Sequence, residues 1–160
     1  MRHRMILTGL VIGLCALQLV GAAQASAEGP TIERGRFEER FFDDFILELC
    51  GIETFTTLTQ VFSVKTFADG SEQVHVVRTF VPDDPRIPIE RGAATAFVAP
   101  DGTRTVIGKP IQLFGPDGGI RLLDAGLVEF GDELVIHGRH DVLVFDPDVD
   151  LAPYYCPPEA

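Results

Sequence analysis

From Phe55 to Phe145, short runs rich in Val, Ile, Thr and Phe alternate with clusters of turn residues. This pattern belongs to antiparallel all-β domains. It predicts strands over Thr54–Phe67, Gln73–Val81, Ala93–Val98, Arg104–Phe114, Gly119–Phe130, Glu133–His137 and Asp141–Phe145. Asp69-Gly70, Asp101-Gly102 and Asp117-Gly118 supply hairpin turns, because glycine tolerates positive φ. Val74, Val76 and Phe80 fall on one side of their run, with His75 and Thr79 on the other. Ile120, Leu122, Val128 and Phe130 likewise oppose Arg121 and Glu129. Elsewhere both faces are apolar, as in a sheet covered on both sides or curled into a barrel. Lys109-Pro110 interrupts one run, and a proline there implies a bulge or an edge.

Two segments depart from this pattern. Phe37, Phe41, Phe45 and Leu49 repeat every four residues as on a helix, yet the phenylalanines of Glu33–Leu49 also suit a strand. With no capping box ahead of the run, strand is the expectation. Three prolines between Pro82 and Pro88 require an irregular loop. The fold class is therefore all-β, an antiparallel β-barrel or two-sheet sandwich of about eight strands.

The N-terminus has a different grammar. Arg2, His3 and Arg4 precede an apolar run from Met5 to Val20, broken only by Thr8 and Gln18, and small residues up to Ala27 follow. Basic, apolar and small regions in that order describe a cleavable secretory signal peptide. The alternative, a membrane anchor, wants about 20 continuous apolar residues and no small-residue site. Residues 1–27 are thus expected to be removed with Cys15, leaving a secreted, extracellular single all-β domain over 28–160 without a stable membrane span. Arg2 and Arg4 leave and no acid does, so the formal charge moves from −11 to −13. Such a surface repels nucleic acid. Cys50 and Cys156 remain, an even pair in an oxidising compartment, and are expected to form a disulfide. Free thiols or a metal pair are the alternatives, and neither cysteine has a second Cys or a His close by in sequence.

Several short motifs share an order with a known group: Phe37, Phe41, Asp43 and Asp44, the pair Cys50-Gly51, a Thr/Val-rich strand, a Pro-Asp-Gly turn, Gly138-Arg139-x-x-Val142, Phe145-Asp146 and a C-terminal cysteine. In these the chain resembles a group of small secreted actinobacterial β-rich proteins without an assigned activity. The resemblance implies a fold and no catalytic residue.

Candidate chemistry is sparse. His137-Gly138-Arg139-His140-Asp141 is the densest cluster of ligand types. A hairpin at Gly138-Arg139 would bring the two imidazoles face to face, and zinc or copper could bind. A straight strand, which the resemblance favours, sends them to opposite faces. Asp146, Asp148 and Asp150 suggest a calcium loop, but the sixth and twelfth positions, Gly and Glu in such loops, are Leu151 and Pro157. A solvated acidic loop is the simpler reading. Ser63 and Ser71 are the serines beyond the leader and neither lies in Gly-x-Ser-x-Gly. The chain has no Trp, and its two tyrosines are Tyr154 and Tyr155, which disfavours a carbohydrate platform. No cofactor is implied. Two functions remain: a non-catalytic binding or cell-envelope-associated domain, with an envelope component or small apolar ligand as partner, or a hydrolytic or metal-dependent barrel enzyme using His137, His140 and nearby acids.

Overall fold

The computed structural model describes residues 29–142 and 148–158. The expected leader and most of the run Asp141–Phe145 lie outside them. In chain order the elements are β1 (Thr31–Phe42), α1 (Asp44–Cys50), β2 (Phe55–Thr66), β3 (Glu72–Pro82), β4 (Ile89–Val98), β5 (Arg104–Phe114), β6 (Ile120–Phe130), β7 (Leu134–His140) and α2 (Ala152–Tyr155). The seven strands form one antiparallel sheet in the order β1-β2-β3-β4-β5-β6-β7.

The all-β expectation holds, and its finer form is corrected: this is neither a two-sheet sandwich nor a closed barrel. Each strand pairs with its chain neighbours, and among the described residues no pairing joins β1 to β7. The physical reason lies partly in β1, which carries Glu33, Arg34, Arg36, Glu38, Glu39 and Arg40. Charge along an edge strand opposes further pairing. The apolar residues that suggested a second layer, among them Val61, Val77, Phe97, Ile107 and Val135, are exposed on the outer face.

The ambiguous Glu33–Leu49 segment divides in two. Its first part is β1, and α1 begins after Asp43, whose side chain accepts the Ile46 N–H at 3.0 Å. A single aspartate thus caps the helix without a Glu/Gln partner. Gly51 ends it at φ 68°, its N–H donating to the Leu47 carbonyl.

Around Pro110 the β5–β6 register shifts between Gly108 and Ile111, the bulge that proline implied. At the same level Gly108 pairs with Gly126, and Gly126 with Gly138. A Cβ on Gly126 would lie 2.0 Å from the His137 carbonyl oxygen, and φ there is +151°. Glycine at this crossing lets three backbones approach and the sheet bend. Gly126→Ala is expected to cost about 2 kcal/mol, for strain at a disfavoured φ and displaced backbone. An unchanged denaturation midpoint would contradict this account.

Directly paired residues share a face, so the register assigns Leu122, Leu113, Glu90, Phe80 and Leu58 to a single inner face. At one end of it α1, α2 and the proline loop close over the sheet. Ile46, Ile87, Ile111, Leu113, Leu122 and Tyr155 form the buried cluster there. Cys50 and Cys156 join the two helices in a disulfide, their Cα atoms 5.3 Å apart.

Candidate functional site

The capped end of the inner face encloses a cavity of about 430 Å³ walled by Phe41, Phe45, Phe80, Ile87, Ile111 and Leu151. Polar groups also line it, and they are engaged with one another. Tyr155 donates its hydroxyl to Glu90 Oε2 at 2.7 Å, and Arg78 Nη2 donates to Oε1 of the same carboxylate at 3.2 Å. Burial, and then the charge of Glu90, push the Tyr155 hydroxyl far above its ordinary pKa. It therefore stays a neutral donor and cannot act as a base. Thr56 Oγ1 donates to Asp43 Oδ2, while Oδ1 is occupied by the α1 cap. Both Asp43 oxygens are thus spent on holding α1 against β2.

A second cavity of about 340 Å³ continues along the inner face between Val74, Val76, Ala94, Ala96 and Val106. Small side chains on β4 make the room. Arg78 lines both cavities, which together form one apolar trough with that guanidinium at its middle. A larger cleft of about 550 Å³ lies among Pro85, Pro116, Pro157 and Pro158. Its arginines are engaged elsewhere, Arg86 with Asp84 and Arg121 with the Cys156 carbonyl.

The residues expected from sequence do not converge here. Strand β7 runs straight through Gly138-Arg139, so His137 and His140 leave opposite faces. The expected break after His137 is absent. His137 is exposed on the outer face, whereas the His140 side chain is only 6% exposed and pairs through Nδ1 with Asp124. Its Nε2 donates to the His137 carbonyl at 3.2 Å. His140 is thus a buried group with both ring nitrogens engaged.

Asp141 is gripped by Arg139 at 2.8 and 3.1 Å and accepts the Leu123 N–H at 2.8 Å. The Arg139 hydrogen bonds, with help from Leu123, hold its carboxyl below the usual carboxylate range. This clasp therefore contributes above that range and is lost as pH falls through the lowered value. Asp150 accepts the Ala152 N–H at 3.0 Å just ahead of α2, Asp148 is exposed, and Asp146 lies outside the described residues. Among the described residues no group of three or more His, Cys, Asp or Glu is placed to hold a metal ion.

The buried and trough-lining charges leave only faint marks in the sequence. Arg78 has the same parity as Val74, Val76 and Phe80, and a charge on a dry face was the available signal. Asp124 likewise shares the parity of Leu122 and Val128. Glu90 was lost because the expected strand began at Ala93, short of the true start of β4 at Ile89.

No protein-family model, curated protein or solved structure matches this chain.

Proposed function

We propose that the protein is an exported, non-catalytic binding domain that holds a small apolar ligand against the inner face of its sheet. The observation that supports this is the trough: two adjoining cavities of about 430 and 340 Å³ with largely aliphatic and aromatic walls. Ligand sites are concave and mostly apolar, with a few placed polar groups, and this one has that character. The Cys50–Cys156 disulfide fits an oxidising compartment, and among the described residues no helix is long and apolar enough to cross a membrane. Attachment to an envelope component is compatible with the exposed apolar residues of the outer face. The enzyme reading gains nothing from His140, since both ring nitrogens are occupied.

Fluorescence titration with N-phenyl-1-naphthylamine, a neutral apolar probe, tests the proposal. Saturable binding by the wild type is expected, weakened about tenfold or more by Ala94→Phe, which fills the trough. Absence of saturable binding in the wild type would remove the reading.

A further inference from the structure

We propose that the outer face of the sheet docks on a bilayer surface carrying anionic phospholipid headgroups, its cations meeting headgroups while exposed apolar side chains sit between them. This rests on the export proposed above and not on the trough, which lies on the opposite face, so either can fail alone. Acids outnumber Lys and Arg in the chain by 24 to 13. On the outer face that balance is reversed. The register places Arg34, Arg36, Lys65, Arg91 and Lys109 there, and among the described residues none of them pairs with a carboxylate. Arg40 and Arg139 share the face but are bound to Asp83 and Asp141. Glu38 and Glu129 are the acids of the described strands on this side. A solvated surface drawn from this composition would carry mostly acids, so the segregation itself points to an anionic partner.

The placement of the cations selects the kind of partner. Arg36, Val61, Val77, Ala93 and Lys109 pair in succession as one row, and the strand spacings between its two cations add to roughly 19 Å. No single phosphate or carboxylate spans that distance, so each cation needs its own acceptor, as an array of headgroups provides. Arg34 and Arg36 are successive outward positions on β1, and Lys65 lies diagonal to Arg34 across the β1–β2 pair. These like charges are neighbours with no acid between them, and a negative surface relieves their repulsion. Among the cations stand Val61, Val77, Phe97 and Ile107, all exposed. A linear polyanion has no use for that apolar area, whereas binding to a bilayer gains from apolar contact and charge together. The other described acids stand on the inner face, the loops and α1. At 0.1 M salt the Debye length is about 10 Å, so those farther than this from a docked surface are largely screened from it. A second copy of the chain fits less well, because a two-fold axis would set cations against cations.

The test is sedimentation of the exported protein with vesicles of phosphatidylcholine alone and of phosphatidylcholine with about one-third phosphatidylglycerol, at about 0.05 M and about 0.5 M salt. Wild type is compared with Arg34→Gln/Arg36→Gln and with Arg86→Gln/Arg104→Gln, a pair of equal net charge that lies off this face. Circular dichroism establishes that each variant is folded. Wild type is expected to favour the anionic vesicles about tenfold or more over the neutral ones, and to be released at the higher salt. Arg34→Gln/Arg36→Gln should weaken partition about thirtyfold, at roughly fivefold per cation, and Arg86→Gln/Arg104→Gln by about twofold or less. Val61→Thr/Val77→Thr keeps two strand-forming side chains and should weaken partition several-fold. Equal partition of wild type to the two kinds of vesicle, including none to either, would overturn the proposal. So would equal weakening by the two arginine pairs, since net charge and not this face would then be what the vesicle reads. An unaffected valine variant would assign the face to a linear polyanion. Self-association without vesicles, lost in Arg34→Gln/Arg36→Gln, would assign it to a second copy. Either result would overturn the bilayer as its occupant.

Discussion

Replacing Cys50 and Cys156 with serine is expected to lower the melting temperature by roughly 10 to 15 °C. The disulfide closes a loop with a sequence separation of 106 residues. In the chain-entropy model such a loop is worth about 4 to 5 kcal/mol through restriction of the unfolded chain. A domain of this size converts each kcal/mol into about 2 to 8 °C. A local effect adds to the global one. Helix α2 has four residues, too few to be stable in isolation, yet it delivers Tyr155 to Glu90 and to the buried cluster. Without the bond to Cys50, α2 is held by the packing of Tyr155 and Leu151 and by the contact of Phe45 with Tyr155, ring centroids 5.1 Å apart. The capped end of the trough should therefore loosen, and N-phenyl-1-naphthylamine should bind more weakly to the serine variant even below its melting transition. Thermal melts followed by circular dichroism, with probe titration at 15 °C, provide the measurements. A melting temperature within a degree or two of wild type would contradict the assigned role of this bond.

The sequence disclosed the strands better than their enclosure. Arg104–Phe114 was located to the residue, and the three Asp-Gly turns carry positive φ at Gly70, Gly102 and Gly118. Those features are local: period-two alternation and the freedom of glycine act within a few residues. Whether seven strands close, stack or remain one bent sheet depends on long-range pairing, to which no short motif speaks. Apolar residues on both faces suggested a second layer. In the structure the inner set instead faces a trough and two small helices, and much of the outer set is exposed. The candidate site suffered for a related reason. Clusters contiguous in sequence, such as His137 to Asp141, are visible in a linear chain, whereas Arg78, Glu90 and Tyr155 meet only because β3 pairs with β4 and α2 is tied to α1. The signal that Arg78 and Asp124 do leave in the sequence is a charge at the parity of an apolar strand face.

Asp124 leads to the second large effect, which separates two histidines that look alike in sequence. His140→Ala is expected to destabilise the fold by about 3 to 5 kcal/mol, and His137→Ala by under about 0.5 kcal/mol. The difference follows from what each removal leaves behind. His137 is exposed on β7, and its backbone carbonyl, the partner of His140 Nε2, survives the substitution. The His140 and Asp124 side chains are 6% and 8% exposed and bonded to each other, so deleting the imidazole strands a carboxylate without its partner and out of reach of bulk water. Such a group costs more than the lost contact was worth, because its desolvation is no longer compensated. The same logic fixes the outcome of removing both partners. Asp124→Leu/His140→Leu should recover most of the loss, since two apolar side chains on this face need no compensation and Ile111 and Leu122 pack nearby. Urea denaturation of the four proteins measures this directly. Equal small losses for both histidine variants would show that the buried pair contributes little, and a double variant weaker than His140→Ala alone would show that the pair stabilises by attraction beyond satisfying its own burial.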